Sequence, residues 1–201
     1  MPAIPDRHLD LGCGSAPRNP YGRRELCGVD ILQLESTAHI EFRRANVVLE
    51  PIPFPDSHFG SVSAYDFIEH VPRVLPTADG RATCFPFVRL MDEIWRVLAP
   101  GGRLYSVTPA FPGPEAFQDP THVNFITDKT WRYFCSDAPM ARCYGYAGQF
   151  EMIRNEWAMF PEAFVPDSLL TWQRRFKRWR LERRQRLSHL IWEFECVKPS
   201  E

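Results

Sequence analysis

The sequence is defined first by what it lacks. No two of its six cysteines, Cys13, Cys27, Cys84, Cys135, Cys143 and Cys196, stand at Cys-x-x-Cys spacing. A zinc site and a disulfide framework are therefore not indicated, and reduced thiols in a cytoplasmic protein are expected. No run of about 18 apolar residues occurs, which argues against a membrane span. The start, Met1-Pro2-Ala3-Ile4-Pro5-Asp6-Arg7, lacks the apolar stretch of a secretion signal. The formal net charge is −1, so the chain as a whole is not drawn to nucleic acid or acidic membranes. Internal repeats and low-complexity tracts are also missing.

What is present suits one domain. The chain has 201 residues, of which 44% are hydrophobic and 13% aromatic, enough for one substantial core. Its 19 prolines gather at 51, 53 and 55 and again at 109, 112, 114 and 120, which predicts shaped loops. Short apolar runs over 7–11, 25–30, 41–45, 60–65 and 103–108 read as strands. Phe87, Leu90, Met91, Ile94, Trp95 and Leu98 recur at helical spacing, and Ala99-Pro100-Gly101-Gly102 stops that helix. A short helix is expected over 128–134 and an antiparallel pair over 150–158 and 189–197. The pattern is that of an α/β sheet with crossover connections.

The string His8-Leu9-Asp10-Leu11-Gly12-Cys13-Gly14 carries most information about a ligand. A strand ends beside an acid and opens into a turn whose two glycines let backbone approach a ligand closely. A carboxylate there repels phosphate and suits an ammonium group. The string resembles the first motif of class I S-adenosylmethionine-dependent methyltransferases of the type 11 group, acidic-x-Gly-x-Gly. The third glycine of the dinucleotide fingerprint is missing, since the chain continues Ser15-Ala16-Pro17. Pro17 shortens or re-aims the following helix.

The resemblance extends from about residue 7 to 134 and implies a Rossmann-like, doubly wound, mostly parallel sheet with an antiparallel last strand. The helix that usually precedes strand one is absent from this sequence. Asp30, one strand and one helix beyond Asp10 and followed by Ile31, would accept from both ribose hydroxyls. Asn46 would meet the adenine amine, and Val47 would pack on the adenine face. Tyr65 and Asp66, in Tyr65-Asp66-Phe67-Ile68-Glu69-His70-Val71, would line the methionine end with Asp10, Gly12, Cys13 and Gly14. Glu69 and His70 are read chiefly as structural ties of the loop. The segment from Asp92 to Gly102 is the family's helix and turn before strand five.

For chemistry, the candidates lie in Phe117-Gln118-Asp119-Pro120-Thr121-His122-Val123-Asn124. His122 is the candidate base and Asp119 its orienting or substrate-contacting partner. Similar Asp-x-x-His strings in close relatives accompany small-molecule or saccharide modification. The expected reaction is thus methyl transfer to an oxygen or nitrogen of such an acceptor. Two ligands do not define a metal site, so none is expected. The Asn/Asp-Pro-Pro-aromatic string of nucleic-acid amino-methyltransferases is absent, and no Pro-Cys pair serves cytosine carbon-5 chemistry.

One feature keeps nucleic acid open as an alternative. Residues 163–188 carry eight basic residues against Asp167 and Glu182, interleaved with Trp172, Phe176 and Trp179. This amphipathic helical insertion would cover the sheet face left bare by the missing helix; otherwise a homodimer would. A third alternative is a cofactor-binding partner protein without catalysis.

Overall fold

The computed structural model describes residues 3–33, 40–158, 171–184 and 186–199. Strands β1 (Arg7–Leu11), β2 (Glu25–Asp30), β3 (Glu41–Arg44) and β4 (Phe59–Tyr65) fall where the apolar runs place them. A two-residue ladder of β5 (Leu75–Pro76) and β6 (Thr83–Cys84) precedes helix α1 (Pro86–Val97). Strand β7 (Leu98–Pro109), one helical turn α2 (Glu115–Gln118), β8 (Phe150–Ala158), α3 (Trp172–Glu182) and β9 (His189–Cys196) complete the chain.

Seven strands form one sheet in the order β3-β2-β1-β4-β7-β9-β8. β1 to β4 and β7 run parallel, while β9 is antiparallel to both β7 and β8. The strand order reverses between β1 and β4, and ligands bind at the carboxyl ends beside such a reversal. Alternate residues explain the two faces. Leu9, Leu11, Val62, Ala64, Leu104, Trp192 and Phe194 turn to one side, with Phe87, Leu90, Met91 and Ile94 of α1 in the same buried core. Pro86 starts α1, where its missing N–H costs nothing.

Three expectations are corrected. First, residues 12–24 form no helix; Pro17, Pro20 and Gly22 break the pattern, and the β1–β2 crossover is irregular coil. Second, β7 begins at Leu98, which pairs with Phe59, and the Pro100-Gly101-Gly102 turn is looped out of the strand as a register shift. Third, the second sheet face is not bare apolar surface. It carries His8, Asp10, Ser61, Ser63, Arg103, Tyr105 and Glu193, as the alternation within each strand dictates. Arg103 pairs with Glu193 at 3.0 Å and with Glu195 at 3.5 Å, and the Tyr21 hydroxyl donates to Glu193 at 2.9 Å. His8, Asp10, Ser61 and Ser63 on this face are buried, and Tyr65, Val107, Ala158 and Ile191 form a second small apolar cluster.

Residues 163–170 and 185 of the basic segment lie outside the described residues. Helix α3 touches the sheet edge through Arg178, which donates to the Trp157 carbonyl at 3.0 Å and to Glu156 at 2.8 Å. Trp172, Phe176 and Trp179 are exposed. The expected helix over 128–134 is one 3₁₀ turn, Thr130–Tyr133.

Candidate functional site

At the carboxyl end of β1 the chain turns through Gly12, whose φ is +63°. The Gly12 and Cys13 N–H groups both donate to the Val29 carbonyl, at 2.9 and 3.3 Å, and fix the turn to β2. A Cβ on Gly12 would stand 2.6 Å from Phe67 Cδ2. Gly12→Ala therefore meets both a left-handed backbone and a clash. It is expected to cost about 2 kcal/mol, a fall in melting temperature of about 4–8 °C. An unshifted thermal melt would show that the turn relaxes freely.

Asp10 is 2% exposed. Its Oδ1 accepts from the Ser63 hydroxyl at 2.5 Å and its Oδ2 from the Arg18 N–H at 2.8 Å. Burial nevertheless pushes its carboxyl up to about 6, the two donors opposing that rise. Behind it lies a buried polar chain. His8 Nε2 meets Ser63 Oγ at 2.8 Å and His8 Nδ1 meets Ser61 Oγ at 2.7 Å. Ser63 spends its proton on Asp10, so His8 Nε2 must carry the hydrogen and Nδ1 must accept from Ser61. Burial pushes His8 down to about 3, keeping it neutral.

Asp30 ends β2 facing the same corner. Its Oδ2 accepts from the Gly14 N–H and its Oδ1 from the Leu32 N–H, both at 2.9 Å. Each oxygen keeps a lone pair. Ile31 and Leu32 beside it are exposed apolar side chains. Asn46 accepts the Val48 N–H at 3.2 Å through its side chain, as a turn residue does. Val47 is buried and packs with the main core. Cys13 is buried, its sulfur against Gly28. Tyr65 lies under the Arg18 guanidinium, 4.5 Å from ring centroid to carbon. Asp66 has φ +47° and stands 3.5 Å from His189 Nε2. The site reading of the sequence passed over Arg18; a basic residue four positions after Gly14 was its only signal.

The second wall is built from strand-four exit and the loop after β7. Glu69 is 1% exposed; Thr108 donates to its Oε2 at 2.9 Å, and burial pushes its carboxyl up to about 8. The Val123 and Asn124 N–H groups donate to the Glu69 carbonyl, both at 2.9 Å, stitching the loop to this exit. The His70 and His122 rings stand edge to face, 4.8 Å apart. Asp119 does not orient His122 as expected. Its Oδ1 accepts from the Thr121 hydroxyl at 2.6 Å, and Thr121 Oγ meets His70 Nδ1 at 2.9 Å. His122 Nδ1 instead faces the Ala116 carbonyl at 3.3 Å. Folding thus joins His122 to Glu69 and His70, two residues read from sequence as structural ties.

Phe111, Phe117 and Phe125 form an exposed aromatic lip on the same loop, with the Phe117 and Phe125 rings 4.7 Å apart. A cavity of about 440 Å³ shares Phe125 and is otherwise lined by Arg73, Phe85, Phe87 and Tyr144, among others. None of the residues assigned to the site from sequence borders it.

Residues 9–106 match the model of a family described as methyltransferase domain. A comparison with curated protein sequences finds no match. Solved structures share the fold. A chain from the Haloferax volcanii complex of the Trm112 methyltransferase activator with a methyltransferase is 18% identical, with 100% of this chain and 86% of that one covered and a TM-score of 0.58. An S-adenosylmethionine-dependent methyltransferase from Mesorhizobium loti is 14% identical over 97% of this chain and 93% of its own, with a TM-score of 0.54. The [4+2]-cyclase SpnF, 17% identical over 96% and 76%, scores 0.56, so the fold hosts more than one chemistry.

Proposed function

We propose that this chain, whose residues 9–106 match a methyltransferase domain, transfers a methyl group from S-adenosylmethionine to an oxygen or nitrogen of a small molecule or saccharide. S-adenosylmethionine supplies a methyl group already activated on a sulfonium. The protein's task is to hold donor and acceptor in line and to exclude water.

The residues at the corner suit that cofactor. Gly14 leaves open space where a side chain would stand. Asp30 has an unspent lone pair on each oxygen for two adjacent hydroxyls. Ile31 and Leu32 offer apolar surface beside it. Asp10, with Gly12 and Cys13, forms the acidic end for an ammonium group, and Tyr65 and Asp66 close the methionine side. Arg18 adds a cation for a carboxylate. Asn46 stands at the adenine end.

The observation that carries the acceptor assignment is His122, set with a bare Nε2 beside an exposed aromatic lip. Its Nδ1 faces a carbonyl, which only accepts, so the lone pair is on Nε2. We assign His122 as the catalytic residue at which the acceptor is deprotonated, and Asp119 as a positioning residue acting through Thr121 on His70. His122→Ala is expected to lower methyl transfer about 10²-fold or more while leaving S-adenosylmethionine binding unchanged in calorimetry. Undiminished turnover of an acceptor found by screening phenols, amines and sugars would remove His122 from the reaction.

The exposed Trp172, Phe176 and Trp179 on basic α3 support a second reading, a nucleic-acid acceptor. RNA or DNA affinity falling steeply with salt would favour it. Copies pairing through this stripe in sedimentation would assign it to a homodimer instead. Among the described residues no helix is long and apolar enough to cross a membrane.

A further inference from the structure

We propose that Glu69, His70 and His122 bind a first-row divalent transition-metal ion. The inference rests on the methyl-transfer reading for its purpose but not for its geometry. One ligand atom from each residue lies within 4.8 Å of the other two. Three further observations turn this proximity into a site.

The first is Glu69 Oε1. Glu69 is 1% exposed, and this oxygen has no hydrogen-bond partner among the described residues, whereas Oε2 is held by Thr108. A buried carboxylate oxygen without a partner is costly unless something fills it.

The second is the state of His70. Thr121 gives its one hydroxyl proton to Asp119, since a carboxylate only accepts. His70 Nδ1 must then donate to Thr121 Oγ. The hydrogen is fixed on Nδ1 and the lone pair on Nε2.

The third is His122, whose Nδ1 faces the Ala116 carbonyl and is fixed in the same way. Metal-bound histidines characteristically donate their other ring N–H to a carbonyl, a carboxylate or a group tied to one, which sets the tautomer and raises ligand basicity. Both rings carry that arrangement, one to a carbonyl and one through Thr121 to Asp119.

Two imidazoles and one carboxylate on one side of an ion favour a transition metal over magnesium and leave positions open. Drawing the three atoms onto an ion requires them to close together by about an ångström from their widest separation, given metal–nitrogen bonds of about 2.1 Å. An acceptor hydroxyl in an open position would be acidified and lose its proton to water. Its oxygen then forms the new bond to the methyl carbon as the carbon–sulfur bond breaks, the electron pair passing to sulfur. With the ion bound, the His122 Nε2 lone pair holds the metal in place of taking the acceptor's proton itself. From sequence only Asp119 and His122 stand near one another; folding supplies the missing carboxylate, Glu69, from a strand exit 53 positions earlier in the chain.

The test is cobalt(II) titration of the purified full chain, read by visible absorption, with manganese(II) titration by calorimetry beside it. Saturation at one equivalent with ligand-field bands is expected. Glu69→Gln and His70→Ala are each expected to weaken binding about 100-fold, and Thr121→Val, which removes only the partner of His70, about tenfold. Glu69→Gln preserves shape and its Thr108 bond, and retained S-adenosylmethionine binding shows that it folds. Cobalt affinity equal in wild type, Glu69→Gln and His70→Ala, or no saturable binding at all, overturns the site. Metal bound at this triad without methyl transfer would leave the site standing and sink the functional reading; transfer that survives full chelation would overturn the ion's part in the reaction.

Discussion

Asp30→Ala is expected to weaken S-adenosylmethionine binding by about 10²- to 10⁴-fold. Each hydrogen bond to a charged acceptor contributes about 1.5–3 kcal/mol, and the ribose offers two. The variant also unties the corner, because Asp30 joins the Gly14 N–H on one side to the Leu32 N–H on the other. Asp30→Asn keeps one acceptor oxygen and is expected to fall between the two. Asp30 is a half-buried residue at the carboxyl end of β2, and loss of its two N–H partners is expected to cost about 1–3 kcal/mol of stability. Calorimetric affinity of Asp30→Ala close to that of wild type would mean that the cofactor lies elsewhere.

The largest stability effects are expected from the buried chain Ser61–His8–Ser63–Asp10. His8→Ala removes a fully buried ring, leaves the Ser61 hydroxyl without its acceptor and takes a donor from Ser63, a loss of about 3–5 kcal/mol. The chain also makes a signed pH prediction. His8 has its folded pKa depressed from 6.5 to about 3, so the stability it contributes is present above pH 6.5 and is lost as pH falls toward 3. Asp10 has its folded pKa raised from 3.8 to about 6, so its contribution is present below 3.8 and is lost as pH rises through 6. Between pH 7 and 4.5 the two slopes oppose and nearly cancel in the wild type. Asp10→Asn leaves the His8 slope alone, and stability should drop by about 2–3 kcal/mol over that interval. His8→Gln leaves the Asp10 slope alone and should change in the opposite sense. Urea denaturation at the two pH values decides it: parallel slopes in the two variants would show that neither group titrates as its burial requires.

The strands and α1 were legible because their signals are local. Apolar alternation sets β1 and β4, and the 3.6-residue period sets α1. The turn at Gly12 and the place of Asp30 at the end of β2 were legible because glycines and acids mark strand ends locally. Two things were not. The β1–β2 crossover resembles a helical spacing in length alone, and its prolines decide otherwise. The partnership of His122 with Glu69 and His70 is made by a loop crossing onto another strand's exit, and no local pattern encodes a contact at that distance.

The irregular coil that replaces a helix after β1 has an electrical consequence. A helix starting at the glycine turn would point the positive end of its dipole at the ligand. Here that end is missing, and the nearest fixed charges of the corner include two carboxylates. The corner's field is therefore weighted toward holding a cation. Under the proposed reaction, methyl transfer turns the sulfonium into a neutral thioether, which a corner weighted toward cations holds less firmly.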